Sequence, residues 1–311
     1  MLVTGARGFI GRHLCQHLSS MGHTVLGLGH GAWPEPDARK HGVTRWLNAE
    51  VHASTLRSVT TGATPDVVYH LAGGSSVAAA VANPREDFMR TVTSTLELVE
   101  WIRQDAPRTR LVAISSAAVY GNAHVGPITE QAAVDPISPY GHHKLMMEGV
   151  CRSYGRCFGV SSVLARPFSI YGPGLTKQLP WDLSTRLASG ERVITLGGTG
   201  WELRDWTHVH DLVQCLERLA SVACAEVPAY NIGTGIGTPV VEVANCLADA
   251  FARRTGRIPA DIRFSGVVRS GDPTSLVADV SAGRRIGLHC AWTAQPGLDD
   301  FVHWFTEGRN A

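Results

Sequence analysis

The most specific chemistry in this 311-residue chain rests on a tyrosine and a lysine four residues apart, in Tyr140-Gly141-His142-His143-Lys144. Ser138-Pro139 just upstream supplies a cap and a first-turn proline, so the segment reads as the start of a helix. Spacing of i, i+4 puts Tyr140 and Lys144 on one face. A free tyrosine has a pKa of about 10 and is a poor base at neutral pH. A neighbouring ammonium stabilises phenolate, so Lys144 is expected to lower that pKa and make Tyr140 a usable acid and base. Ser115 and Ser116 end an apolar segment that begins at Arg110. A hydroxyl there could bridge a substrate oxygen and the tyrosine.

A second constellation opens the chain. Thr4-Gly5-Ala6-Arg7-Gly8-Phe9-Ile10-Gly11 lies between a short apolar strand, Leu2-Val3-Thr4, and a helical stripe of Ile10, Leu14 and Leu18. Gly5 permits a tight turn, Gly8 lets backbone approach a pyrophosphate at a helix N-terminus, and Gly11 allows helix to pack on sheet. An acidic residue ending the second strand would bind ribose hydroxyls and favour NAD. Gly29-His30-Gly31 stands there instead, which leaves NAD and NADP both open. Arg7 or Arg12 could meet a 2′-phosphate. Asn48, after the third strand, could bond an adenine amino group through its side-chain carbonyl.

The elements that must position these groups alternate. Strand signals at 23–28, 66–72 and 110–115 are separated by helical patterns at 9–21 and 84–104, the latter with Phe88, Val92, Leu96, Val99 and Ile102 on one face. Strand–helix alternation predicts right-handed crossovers and a doubly wound parallel α/β sheet of the Rossmann type. After residue 172 the pattern loosens. Segments 179–189 and 240–254 read as helices, 193–196, 229–233 and 262–264 as strands. The expected organisation is a dinucleotide-binding domain over 1–172 plus about 205–235, with a smaller interleaved lobe over 173–204 plus about 236–311.

Composition narrows the partners. Hydrophobic residues make up 44% and charged residues 18%, mean hydropathy is 0.00 and the formal charge is +1, an ordinary globular balance with no footprint for nucleic acid or an anionic membrane. No apolar run reaches the ~18 residues of a membrane span. Met1 runs straight into the first strand without a secretory pattern, so a cytoplasmic protein is expected. The seven cysteines form no C-x-x-C pair and read as reduced thiols. Among the histidines, His142-His143 and the His208/His210 pair lack a third ligand at metal-site spacing, so no metal is expected. His70 reads as packing near the cofactor; Trp181, Trp201 and Trp206 read as core or as stacking platforms.

Ordered along the chain, TGARGFIG (4–11), HLAG (70–73), SSAAVYG (115–121), SPYGHHK (138–144), RPFSIYGPG (166–174), RDWTHVHD (204–211), NIGTG (231–235) and RSGDP (269–273) resemble the extended short-chain dehydrogenase/reductase family, the NAD-dependent epimerase/dehydratase group acting on nucleotide sugars. The resemblance implies Ser116, Tyr140 and Lys144 as catalytic. It implies a cofactor held by Gly5, Arg7, Gly8, Phe9, Ile10, Gly11, His30, Asn48, Leu71, Ala72, Gly73 and Pro167 together with Tyr140 and Lys144. It implies a substrate held by Ser116, Ser169, Arg204, Arg269 and Asp272, and a homodimer through 84–104 and 139–158. Where sugar 4,6-dehydratases carry an Asp-Glu pair after the catalytic hydroxyl, this chain has Ala117-Ala118, which cannot transfer protons and argues against dehydration. Ser169, Thr91 and His210 also depart from the family's usual residues. The expectation is a nucleotide-sugar 4-epimerase working through a 4-keto intermediate with NAD or NADP. The alternative is an NADPH-dependent 4-ketoreductase. A non-catalytic NADP-sensing protein would tolerate loss of the tyrosine–lysine pair, which is intact here.

Overall fold

A computed structural model describes residues 1–267 and 273–308. Its centre is a seven-stranded sheet in the order Ala229–Ile232, Ser162–Pro167, Arg110–Ile114, Val67–His70, Leu2–Thr4, Val25–Gly29, Val43–Asn48, parallel throughout. The central strands Leu2–Thr4, Val67–His70 and Ser162–Pro167 are buried at every position, as strands covered on both faces must be. One face is covered by helices Phe9–Ser20 and Val209–Leu219 through Leu14, Leu18, Leu212 and Leu216. The other is covered by Ser94–Asp105 and Pro139–Phe158 through Leu98, Ile102, Met147 and Cys151. Strand order reverses between Leu2–Thr4 and Val67–His70, and ligands of such sheets bind in the crevice beyond the strand ends at that point.

The remaining chain forms a smaller lobe. Helices Gln178–Ser189, Val240–Thr255 and Ala294–Glu307 close around Leu183, Leu247 and Phe301. A four-stranded mixed sheet runs Thr238–Pro239, Leu203–Arg204, Ser275–Ala278, Pro127–Ile128, and so borrows one strand from the first half of the chain. Asp205 stitches the parts together. Its fully buried carboxylate accepts from the Thr234 amide and hydroxyl (both 2.8 Å), the Gly235 amide (2.9 Å) and the Ala278 amide (3.2 Å). A buried carboxylate that collects four donors is stable only because all of them point at it.

Two elements differ from the sequence expectation. The second strand starts at Val25, where pairing with Val43 begins, and runs on through Gly29. The single helix expected over 84–104 is Pro84–Phe88, a π-helical turn Met89–Thr93, and Ser94–Asp105. The Thr95 hydroxyl donates to Thr91 O at 2.7 Å, and the Ser94 hydroxyl donates to Arg90 O. Hydroxyls that bond carbonyls four residues back compete with the regular ladder, and they sit where the extra residue is inserted. The buried Thr91 hydroxyl, within the widened turn, accepts from the Gly74 amide at 2.8 Å and so braces a residue of the cleft wall.

Candidate active site

The carboxyl ends of the strands open into a cleft of about 1460 Å³ that runs from the first glycine turn to Arg204. A pocket for one small molecule usually measures ~300–1,000 Å³. This one has room for two ligands end to end.

At one end the walls are backbone. Gly5 adopts φ +70°, and a Cβ there would lie 2.9 Å from the Ala72 amide nitrogen, so the turn and the Leu71-Ala72 segment touch main chain to main chain. A Cβ on Gly11 would fall 2.2 Å from Gly5 O, and one on Gly8 3.1 Å from the same oxygen. Helix Phe9–Ser20 begins behind Gly8 with no side-chain cap, leaving the positive end of its dipole to the cleft. Arg12 also lines the cleft, and its buried Nε has no hydrogen-bond partner among the described residues. An uncapped helix start, glycines no side chain could replace and an orphaned guanidinium donor suit a dinucleotide's phosphates. Thr4 and His70 lock the floor: their side chains meet at 2.7 Å, Thr4 Oγ1 accepts from the Ala72 amide at 3.2 Å, and His70 Nε2 lies 3.1 Å from Thr95 Oγ1. Complete burial pushes the His70 pKa down to about 3, so its ring is neutral and structural.

At the other end helix Pro139–Phe158 presents Tyr140 and Lys144. Ser138 caps it by accepting from the Gly141 amide at 3.2 Å. The Ser116 hydroxyl lies beside the Tyr140 phenol, where it favours the ionised form. Lys144 is 2% exposed, donates to Ile114 O at 2.9 Å and lies 5.9 Å from the centre of the Tyr140 ring. The electrostatics correct one expectation. Burial pushes the phenol's pKa up, with Asp87 adding to the rise, and only the Ser116 hydroxyl opposes it. Lys144, itself pulled down to about 8 by burial, does not offset that rise. In the free protein Tyr140 is therefore a phenol.

Of the residues named from sequence, Gly5, Arg7, Gly8, Phe9, Ile10, Gly11, His30, Leu71, Ala72, Gly73, Ser116, Tyr140, Lys144, Pro167, Ser169 and Arg204 all line this one cleft. Asn48 does not line it. Its Oδ1 accepts from the Gly31 amide at 2.9 Å and braces the loop after the second strand. Arg269 and Asp272 fall outside the described residues. Arg204 Nη1 donates to Leu203 O (2.9 Å) and Pro273 O (2.8 Å), which fixes the guanidinium at the cleft's far end. Trp206 lines the cleft beside Tyr171, Trp181 packs on Trp304 and Phe305, and Trp201 is exposed.

Four features escaped the sequence reading. Glu50 lines the cleft and pairs with His30 at 3.3 Å. This carboxylate follows the third strand, not the second, so a search at the usual position misses it. Gln178 lines the cleft with φ +65°, a left-handed conformation that is strained for a side-chain-bearing residue. His143 is bonded at 2.6 Å to Asp87, whose side chain is 4% exposed. Only the fold brings these two together. Glu148, one turn beyond Lys144, is fully buried and accepts from Arg166 (2.8 and 2.6 Å) and from the Ser115 hydroxyl (2.6 Å), which fixes the helix against the strand end that carries Ser116.

A doubly wound sheet with a glycine turn at its switch point and a Ser–Tyr–Lys cluster across the same cleft defines a dinucleotide-dependent enzyme scaffold. The sequence pattern of the NAD dependent epimerase/dehydratase family matches residues 1–233, and the chain belongs to that family. It is 28% identical over 300 residues to the uncharacterized UDP-glucose epimerase YtcB of Bacillus subtilis, covering 93% of this chain and 92% of that one. It is 29% identical over 354 residues to the UDP-glucose 4-epimerase of Caenorhabditis elegans, covering 99% and 97%. Among solved structures, MoeE5 in complex with UDP-glucuronic acid and NAD superposes with a TM-score of 0.85 at 31% identity over 99% of both chains. The dTDP-glucose 4,6-dehydratase DesIV of Streptomyces venezuelae, with NAD and TYD bound, gives 0.86 at 26% identity, covering 99% of this chain and 97% of that one. The overall fold therefore does not separate epimerase from dehydratase, and the discrimination must come from residues in the cleft.

Proposed function

We propose that the protein is an NAD-dependent UDP-sugar 4-epimerase. The observation that carries the reading is the Tyr140 phenol, flanked by Ser116 and Lys144, in one cleft with the Gly5–Gly11 turn. Gly5, Gly8, Gly11 and the start of helix Phe9–Ser20 hold the cofactor's phosphates, with Leu71, Ala72, Gly73 and Pro167 beside it. When bound, the nicotinamide dinucleotide supplies reversible oxidation at the sugar C4. With a positively charged nicotinamide bound beside it to favour the phenolate, Tyr140 would take the C4 hydroxyl proton and return it to the same oxygen after the ring has turned. Ser116 holds that oxygen, and Lys144 orients the phenol and the cofactor ribose. Arg204, with Ser169, anchors the nucleotide end, and this binding energy retains the 4-keto sugar while it reorients. Ala117 and Ala118, in the turn after Ser116, offer no proton-transferring group at the positions where water elimination needs an acid and a base.

A second reading, an NADPH-dependent 4-ketoreductase, draws on one observation. The Arg7 guanidinium lies so close to Gly31 that a Cβ there would meet it at 2.3 Å, and a phosphate-matching fork beside the end of the second strand would suit a 2′-phosphate. Glu50 beside His30 opposes it, since a carboxylate repels that phosphate. The test is to denature the purified protein, identify any released dinucleotide, and follow UDP-glucose, UDP-galactose and UDP-glucuronic acid with NAD by NMR. The epimerase reading expects C4 epimers with no net change in cofactor redox state. Stoichiometric NADPH consumption with a 4-keto sugar, or formation of a 4-keto-6-deoxy sugar, would overturn it.

A further inference from the structure

Behind the wall of the cleft, away from Tyr140, three potential ligands converge from two distant segments. His208 ends the strand Trp206–His208 and His210 is the second residue of the helix Val209–Leu219. Asp300, ninety residues further along, comes from the helix Ala294–Glu307 of the smaller lobe. Sequence spacing could not show it as the third partner of the histidine pair. One ligand atom from each of the three lies within 4.8 Å of the other two.

His208 is fully buried, with its Nε2 3.4 Å from Asp300 Oδ2, yet neither atom has a hydrogen bond among the described residues. His208 Nδ1 accepts from the His210 amide at 3.4 Å, a long contact that must yield for Nε2 to present a lone pair, while Nε2 and Asp300 Oδ2 face each other without a hydrogen bond and leave a place for a bridging ion. Two ligands held about 2.1 Å from one tetrahedral ion stand about 3.4 Å apart, the separation seen here. The ring of His208 is held in place by Trp292, stacked on it at 4.2 Å and 18°, and by the Gly172 backbone, where a Cβ would lie 3.1 Å from Nε2. His13 packs edge-on against His210 at 5.2 Å, but its own Nε2 is committed to Pro173 O at 2.7 Å. That leaves three protein ligands and an open coordination position on the partly exposed Asp300 side.

We propose that His208, His210 and Asp300 bind a divalent first-row transition metal of the zinc, cobalt and nickel class. Two imidazole nitrogens and one carboxylate oxygen suit those ions, whereas magnesium and calcium favour all-oxygen sites. The ion ties helix Ala294–Glu307 to the strand–helix junction beneath the Tyr171–Gly174 turn, whose Pro173 and Gly174 line the cleft. Its role is structural, and the site stands independently of the sugar chemistry.

The probe is cobalt chloride titrated into tag-free, chelator-treated full-length protein, read by visible d–d absorption, by quenching of Trp292 fluorescence and by the thermal midpoint. The expected result is saturable binding of one ion per chain with a raised midpoint. Changes to groups that only hydrogen-bond a metal's ligands already cost ~10–100-fold in affinity, so His210→Ala, which removes a ligand, and Asp300→Asn, which removes its charge, should each weaken binding at least about tenfold. Both positions are partly exposed, so the variants should fold. His303→Ala, an exposed histidine on the same helix, should leave binding unchanged. No saturable binding, or equal affinity in wild type, His210→Ala and Asp300→Asn, would overturn the proposal, the latter by placing the ion on other surface histidines.

Discussion

The two ends of the cleft are built on different principles. At the end we propose for the dinucleotide the surface is main chain: Gly5 lies against Leu71-Ala72, Gly11 against Gly5 O, and the helix start is uncapped. At the end we propose for the sugar it is side chain, gathered from Ser116, Tyr140, Ser169, Arg204 and Trp206 on four separate segments. A backbone site tolerates almost no added atom but does not depend on any one functional group. A side-chain site tolerates changes of shape but loses a function with each group removed.

Substitutions should expose that contrast. Gly11→Val places carbon within 2.2 Å of a backbone oxygen that cannot move without the turn. It should cost about 3 kcal/mol or more, the upper range for overpacking, and abolish dinucleotide binding, measured by denaturant unfolding and calorimetry. Glu148→Gln, beneath the catalytic helix, strands the buried Arg166 guanidinium. Breaking one partner of a buried pair costs ~3–5 kcal/mol, and the loss should appear as a lowered unfolding midpoint without a new preference among cofactors. Arg204→Met, at the sugar end, should leave folding and dinucleotide affinity intact while weakening UDP-sugar binding roughly 10–100-fold, the worth of one charged hydrogen-bonding contact. Dinucleotide affinity that fell in step would show that the two ends are not independent.

A smaller effect concerns pH. Lys144 is buried and its pKa falls from 10.5 to about 8, so the folded state holds this proton less tightly than the unfolded chain. The lowered pKa therefore costs stability below about pH 8, and that cost is relieved as pH rises toward the unfolded value. Relative to Lys144→Met, the dinucleotide-free wild type should gain stability between about pH 8 and 10.5, by ~3 kcal/mol at most. A flat difference would mean that the ammonium is solvated in the folded protein.

The same contrast explains what could be read from residues alone. Backbone demands leave a local mark, since only glycine fits at Gly5 and Gly11, so the tight glycine turn and the sheet around it were legible. The Tyr140–Lys144 pair was legible because one helix turn fixes its geometry. Charge environment was not. The phenol's pKa depends on how deeply the fold buries it and on Asp87, which comes from helix Pro84–Phe88, far from Tyr140 in sequence. Partnerships across long separations, Glu50 with the cleft, Asp87 with His143 and Asp300 with His208, have no local signature. Asn48 shows the converse: the residue type suited a ligand, but the loop at Gly31 uses it first.

The account's central claim is that Tyr140 carries the proton of the sugar hydroxyl. Tyr140→Phe removes one oxygen and leaves the cradle untouched, so the decisive measurement is UDP-sugar 4-epimerisation by this variant alongside its dinucleotide content. The account predicts full retention of the cofactor with turnover reduced by at least about 100-fold, the lower bound for a lost general acid–base. Turnover close to wild type in a cofactor-loaded Tyr140→Phe protein would contradict it.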